Sequence, residues 1–182
     1  MTRTWSQVAR RIRVPLGFLF AVLYLWLAQP TWLSIAFGGV IALAGVALRA
    51  VASGHISKDS ELTTSGPYAY TRNPLYVGSI IIAAGFAVAA RSGWVVLAII
   101  VLFTAIYVPV IRSEEEFLRS RFPGFDTYAR RVPRFLPRLR FHSAAGGSFS
   151  RQRYLRHREY NALIGTAAMM AALAAKLLWP QR

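Results

Sequence analysis

The chain has 182 residues, of which 55% are hydrophobic and 16% are charged, and its formal net charge is +15. This composition is too apolar for an ordinary soluble domain, so it indicates a protein for which the lipid bilayer is part of the solvent. The sequence contains no cysteine, which excludes disulfides, thiolate metal sites and a cysteine nucleophile.

Five apolar stretches are predicted to span the membrane, since about 17 to 25 mostly apolar residues are enough for a transmembrane helix. The first stretch follows three arginines, but no small-x-small cleavage site precedes Gln29, so a retained helix is predicted rather than a signal peptide. We therefore predict an all-α, polytopic membrane helical bundle that forms one domain over residues 1–182. The five stretches are Val14 to Ala28, Trp32 to Ala52, Leu75 to Ala90, Trp94 to Ile111 and Tyr160 to Trp179.

The charged residues are distributed unevenly between the two sides of this predicted bundle. With five spans, 19 of the 22 lysines and arginines and all seven acidic residues fall on one side, whereas the other side has Arg91, Lys176 and Arg182. The positive-inside rule then predicts a cytoplasmic N-terminus and a functional site that faces the cytoplasm. The excess of positive charge is explained by topology and by contact with an anionic lipid surface, and nucleic acid is not a predicted partner.

Two helices have local features that predict their packing and shape. Gly38, Ala42 and Gly45 place small residues at neighbouring positions of the second helix, which allows another helix to approach closely. In the fourth helix, Pro109 predicts a kink. The segment from Ser113 to Phe122 is expected to continue this helix beyond the membrane until Pro123 and Gly124 end it.

The run LTTSGPYAYTRNPLYVG, from Leu62 to Gly78, is the most informative part of the sequence. Its Gly-Pro pair predicts a turn, and Asn73 followed by Pro74 predicts the start of the third helix, with Asn73 as N-cap. A helix N-terminus suits an anionic group such as a carboxylate, and Tyr68, Tyr70 and Tyr76 add aromatic faces nearby. The alternative is an ordinary interfacial helix cap within an aromatic belt.

A second polar run, RSEEEFL, begins at Arg112. Glu114 and Glu115 are about 100° apart on a helix, so one can face a pocket while the other pairs with Arg112 or Arg119. The alternative is a solvated face of charges. The three histidines, His55, His142 and His157, lack the spacing of metal ligands, and no metal site is predicted.

The two runs occur in an order that resembles a known family. The pattern G-x-Y-x-x-x-R-N-P-x-Y-x-G is followed by one hydrophobic span, by E-E-x-x-L and by a closing V-P-R segment. This order is similar to the cofactor half of isoprenylcysteine carboxyl methyltransferases and their phospholipid methyltransferase relatives. The resemblance covers Leu62 to Pro137, within a cofactor half at about 53–140 that precedes a C-terminal helix at about 160–179.

The resemblance implies that the cofactor is S-adenosyl-L-methionine and that the acceptor is lipophilic. Glu114 matches the acidic contact of the family, the Pro133-Arg134 segment is a neighbour of the same site, and Arg112 is a candidate substrate contact. The positions implied to bind the cofactor are Ser60, Glu61, Leu62, Thr63, Tyr68, Arg72, Asn73, Pro74, Leu75, Tyr76, Glu114 and Glu115.

Two positions depart from the family pattern. Asn73 stands where the motif usually has histidine, so a histidine base is not expected there. Val110 stands where the eukaryotic prenylcysteine enzymes have an arginine that holds the substrate carboxylate. Carboxyl methylation of an isoprenylcysteine-like substrate, amine methylation of a phospholipid and a non-catalytic module that keeps the cofactor pocket therefore stay open as alternatives.

Overall fold

The computed structural model of the protein describes residues 5–56, 61–137 and 148–179, with only the main chain described for residues 5–14. These residues form helices and short connections, and no strand occurs among them. The helices are α1 (Trp5–Leu27), α2 (Trp32–His55), α3 (Pro74–Ala90), α4 (Gly93–Leu102), α5 (Val108–Arg121), α6 (Phe125–Arg131), α7 (Arg151–Arg156) and α8 (Tyr160–Leu178).

Three helices in the described part of the chain are long and apolar enough to cross a membrane. They are α2, the continuous helix Gly93–Arg121 and α8. Two further apolar helices, Pro15–Leu27 and Pro74–Ala90, are shorter. The all-helical membrane architecture is thus present with three candidate spans, while the expected count of five and the cytoplasmic N-terminus stay predictions.

The helix Gly93–Arg121 contains one turn of π-helix at Phe103–Tyr107, between α4 and α5. The Val108 amide donates to the Phe103 carbonyl, five residues back, and the rings of Phe103 and Tyr107 stack with centroids 5.3 Å apart. This π-turn lies just before Pro109, and the kink that the sequence predicts at the proline stays a prediction. The helix continues to Arg121, as predicted, and ends before Pro123.

The contacts divide the chain into two compact units. The first unit comprises Met1–Ala42, Ala83–Glu116 and Ala167–Arg182. Its buried core consists of Tyr24, Ala28, Ala89, Ala90, Val95 and Leu173. A Cβ added to Gly38 would overlap the Gly85 carbonyl oxygen, so the small residues predicted to allow close helix contact do so here between α2 and α3.

The second unit comprises Leu43–Ile82 and Phe117–Thr166. Within it, a Cβ at Gly45 would lie 2.6 Å from the Gly78 carbonyl oxygen, which repeats the close contact of α2 with α3. The segment around α7 binds the carbonyl groups at the end of α2. Ser150 N donates to the Gly54 carbonyl over 2.9 Å, and Arg153 Nη1 donates to the His55 carbonyl over 2.9 Å. These bonds satisfy acceptors that a helix end leaves without an intrahelical partner.

Candidate functional site

The loop before α3 has the turn and helix start that the sequence predicts. Residues Gly66–Ala69 form one turn of 3₁₀-helix, and Gly66 adopts a left-handed φ of +58°, which glycine allows without steric cost. Pro74 is the first residue of α3, and the Asn73 carbonyl accepts from the Tyr76 and Val77 amides, each over 3.0 Å. Asn73 therefore occupies the N-cap position.

This loop is attached to the closing V-P-R segment by three hydrogen bonds. Arg72 N donates to the Pro133 carbonyl over 2.9 Å, and two side chains donate to the Arg134 carbonyl: Thr71 Oγ1 over 3.0 Å and Asn73 Nδ2 over 3.3 Å. The structure thus brings together two segments that lie about sixty residues apart in sequence. Pro133 and Arg134, predicted as neighbours of the motif, are in direct contact with it.

Two further residues of this arrangement were not among the predicted site residues. Thr71 is buried, and Tyr128 Oη donates to the Tyr68 carbonyl over 2.7 Å. Both side chains hold the loop in place, because each donates a hydrogen bond to the main-chain carbonyl of a residue that is distant in sequence. Their position within the two motif segments is the only signal of this role in the sequence, because a threonine or a tyrosine has many other uses.

The predicted cofactor residues of the second unit differ in exposure. Tyr68 and Pro74 are buried, as is the Nε atom of Arg72. Glu61 is exposed, Ser60 lies outside the described residues, and the others are partly buried: Leu62, Thr63, Asn73, Leu75 and Tyr76. The loop therefore offers buried aromatic and basic groups next to polar groups within reach of a ligand.

The predicted acidic residues lie on α5, in the part of that helix that belongs to the first unit. Glu115 is buried with 3% of its surface exposed, Glu114 is partly buried, and Glu116 and Arg112 are exposed. Arg119, one of the two arginines expected to pair with a glutamate, has its Nε 2.9 Å from Asp126 Oδ1. The run is therefore not uniformly solvated, because one of its three carboxylates is inside the protein.

The two histidines that the structure describes both bind main-chain carbonyl groups of the second unit. His55 Nδ1 lies 2.8 Å from the Val51 carbonyl, and His157 Nδ1 lies 3.1 Å from the Ser53 carbonyl. His142 lies outside the described residues. Within residues 5–56, 61–137 and 148–179, no group of three or more histidine, cysteine, aspartate or glutamate side chains could hold a metal ion.

Two curated proteins are similar to part of this chain. One is the nickel-cobalt-cadmium resistance protein NccN of Alcaligenes xylosoxydans xylosoxydans, which is 43% identical over 82 residues. The other is the cobalt-zinc-cadmium resistance protein CzcN of Cupriavidus metallidurans, which is 44% identical over 82 residues. Each match covers 45% of this chain and 38% of the relative, so the chain spans less than half the length of these relatives. No solved structure matches the chain.

The sequence pattern of a protein family matches a larger part of this chain than the two relatives do. The pattern described as phospholipid methyltransferase covers residues 16–124, which is more than half of the chain and includes the loop before α3, the helix Gly93–Arg121 and the three glutamates. This span contains the run Leu62–Gly78 and the run that begins at Arg112, and it ends before the closing V-P-R segment. The chain belongs to the phospholipid methyltransferase family.

Proposed function

We propose that the protein transfers a methyl group from S-adenosyl-L-methionine to a lipophilic acceptor in the membrane. The observation that carries the proposal is the attachment of residues Thr71, Arg72 and Asn73 to Pro133 and Arg134 by three hydrogen bonds. A loop held in this way offers its side chains and the start of α3 in a fixed arrangement. Fixed orientation is the main requirement for a bimolecular displacement, to which positioning contributes about 7 to 11 kcal/mol.

The residues around this loop fit the chemistry of the cofactor. S-adenosyl-L-methionine, when bound, supplies an electrophilic methyl group on a sulfonium and carries a carboxylate, an ammonium group and an adenosine. Arg72 and the N-terminus of α3 suit the carboxylate. The rings of Tyr68 and Tyr76 suit the sulfonium cation and the adenine.

On this proposal the remaining predicted residues have supporting roles. Glu114 and Glu115 would provide the negative charge that the ammonium group requires, and Arg112 would contact the acceptor. Ser60, Glu61, Leu62 and Thr63 would line the adenosine, while Asn73, Pro74 and Leu75 would shape the start of α3. The proposal also includes the single domain, the five spans and a site that faces the cytoplasm.

The acceptor is proposed to reach the site from the bilayer. Carboxyl O-methylation of an isoprenylcysteine-like or other small lipophilic substrate is the first candidate. Membership of the phospholipid methyltransferase family favours amine N-methylation of a phospholipid as the second. Both acceptors, a carboxylate and a free amine, are nucleophilic without a strong general base, which agrees with Asn73 at the position where the motif usually has histidine.

Calorimetry on the purified protein tests the cofactor. We expect S-adenosyl-L-methionine to bind and Glu114→Gln to weaken binding about tenfold, because a hydrogen bond to a charged group contributes about 1.5 to 3 kcal/mol. Glu116→Gln is the matched control, since Glu116 is exposed on the same helix. Absence of binding to the unaltered protein, or an equal effect of both substitutions, would contradict the proposal.

Incubation of membranes with a cofactor that carries a labelled methyl group tests the acceptor. Label that mild base releases as volatile methanol indicates a methyl ester, whereas label that stays non-volatile in a phospholipid headgroup indicates an N-methyl amine. Cofactor binding without labelling of any lipid extract would instead support a non-catalytic membrane protein that keeps the cofactor site.

A further inference from the structure

A cavity of about 750 Å³ lies in the first unit, at the level where several helices end. Its walls are the turn between α1 and α2, the turn between α3 and α4, and the last residues of α8. Trp26, Trp94 and Trp179 line it and are each at least 70% exposed. Tryptophan is enriched where a membrane meets water, so three exposed tryptophans favour a position of the cavity at the depth of lipid headgroups. None of its lining residues belongs to the motif Leu62–Gly78.

The cavity has a strongly one-sided charge. Arg91 and Lys176 are both part of its lining, and none of the lining residues is aspartate or glutamate. These two cations are among the three basic residues on the side predicted to face away from the cytoplasm. Two positive charges beside apolar aromatic walls favour a ligand that combines a negative charge with an apolar part.

Lys176 contributes a fixed charge to the wall. Its Nζ donates to the carbonyls of Leu25, Trp26 and Ala28 over 2.6, 3.3 and 2.7 Å. These carbonyls lie at the C-terminal end of α1, where a cation is favourable. The three N–H groups of the ammonium are therefore engaged by the protein, and the direct hydrogen bonds to a ligand must come from another residue.

Arg91 is suited to provide those bonds. It follows the last residue of α3 and has a φ of 50°, in the left-handed region where helices usually have glycine and where other L-residues are disfavoured. Its guanidinium forms no hydrogen bond or ion pair with any residue in the described ranges. An arginine thus occupies a backbone position that glycine would occupy with less strain, which points to a function of its side chain.

We infer that the cavity binds the phosphate group of an anionic phospholipid such as phosphatidylglycerol. Arg91 donates two parallel hydrogen bonds to the phosphate oxygens, a geometry for which the guanidinium is well suited. The three tryptophans pack against the glycerol and the upper acyl chains. A zwitterionic headgroup binds more weakly, because Lys176 and Arg91 repel its cationic group.

Lipid binding by the full chain in detergent, followed by native mass spectrometry, tests this inference without a need for methyl transfer. We expect phosphatidylglycerol to bind more tightly than phosphatidylcholine, and Arg91→Gly to weaken phosphatidylglycerol binding about tenfold through loss of the charge-assisted bonds. The same variant should unfold at an unchanged or higher temperature, because glycine accepts the left-handed conformation. Arg91→Lys should retain part of the affinity.

The control is Arg130→Gln, which removes one positive charge from an exposed position on α6. If it weakens lipid binding as much as Arg91→Gly does, the effect is general electrostatic attraction and the site is disproved. A second experiment adds inorganic phosphate as a competitor of the lipid. We expect phosphate not to displace the lipid, because it has no acyl chains that pack on the tryptophans. Displacement by phosphate alone would show a site for soluble anions and overturn the assignment to lipid.

Discussion

Arg49 and Glu159 form a bidentate ion pair in the second unit. The Nε and Nη2 atoms of Arg49 lie 3.0 and 2.8 Å from Glu159 Oε2, and Nη2 also lies 3.0 Å from Oε1. The remaining nitrogen, Nη1, donates to the Leu75 carbonyl over 3.2 Å and to Ser79 Oγ over 2.6 Å. One arginine of α2 therefore binds the first turns of α3 and the residue that precedes α8.

Removal of one partner of this pair should destabilise the protein. The side chains of Arg49 and Glu159 are only 22% and 14% exposed, so Glu159→Gln leaves a largely desolvated guanidinium without its counter-ion. We expect a loss of about 2 to 4 kcal/mol in the free energy of unfolding, toward the lower part of the range for buried pairs because some exposure remains. Thermal unfolding in detergent measures this change.

A second ion pair in the same unit is the matched control. Arg119 and Asp126 lie 2.9 Å apart, but their side chains are 50% and 59% exposed. Asp126→Asn should therefore change stability by at most about 0.5 kcal/mol. The double variant Arg49→Met with Glu159→Met should be more stable than Glu159→Gln alone, and a double variant that is equally unstable would contradict the role of the uncompensated charge.

The contact of α2 with α3 can be tested by adding one methyl group. A Cβ at Gly45 would lie 2.6 Å from the Gly78 carbonyl oxygen and 2.8 Å from the Ile82 amide nitrogen, both main-chain atoms that cannot rotate away. Gly45→Ala should cost about 1 to 3 kcal/mol, as over-packing usually does, and should lower the unfolding temperature. Gly39→Ala is the control on the same helix, since nothing lies within 4 Å of the added Cβ there. Equal unfolding temperatures for the two variants would disprove close packing at Gly45.

Thr71 should act on cofactor binding through the position of its loop. Thr71→Val keeps the shape of the buried side chain but removes the bond from Oγ1 to the Arg134 carbonyl, which then keeps the bond from Asn73 Nδ2. We expect S-adenosyl-L-methionine to bind about tenfold more weakly, while the KM for the acceptor changes little. Thr127→Val, at an exposed position of α6, is the control. A purely structural role would instead lower the unfolding temperature and leave the affinity of the folded protein unchanged.

The contact between Gly54, at the end of α2, and Phe149 can be tested by adding a methyl group to one residue and removing the ring of the other. A Cβ at Gly54 would overlap the aromatic ring of Phe149, next to the bond between Ser150 N and the Gly54 carbonyl. Gly54→Ala should therefore reduce the unfolding temperature, but by less than Gly45→Ala does, because the half-exposed ring of Phe149 can rotate away whereas main-chain atoms cannot. The double variant Gly54→Ala with Phe149→Ala removes the overlapping ring. Its loss of stability should therefore be smaller than the sum of the losses measured for the two single variants. If the losses of stability of the two single variants add up to that of the double variant, Gly54 and Phe149 are not in contact.

Local features of the protein could be predicted from the sequence because they depend on neighbouring residues. Asn73 followed by Pro74 starts a helix since the missing amide and the fixed φ of proline suit the first residue of a helix, and the structure begins α3 there. The helical continuation to Arg121 and its end before Pro123 follow from the same kind of reasoning. The small residues of α2 predicted a close helix contact, although they did not identify α3 as the partner.

Other features depend on tertiary structure. The sequence could not show that Arg49 pairs with a glutamate 110 residues away, or that Thr71 and Asn73 bind the carbonyl of Arg134. It also could not show that Glu115 is the most buried of three adjacent glutamates.

The physical reason is the range of the interactions involved. Apolar length, helix starts and helix ends are determined within a few residues, so the amino-acid sequence alone determined that this chain forms apolar helices with a motif loop between two of them. The partner of a charged or polar side chain is determined by which helix faces meet, and each such contact joins residues that are distant in the chain. Only the tertiary structure therefore decided which side chains hold the motif loop and which charges line the tryptophan-walled cavity.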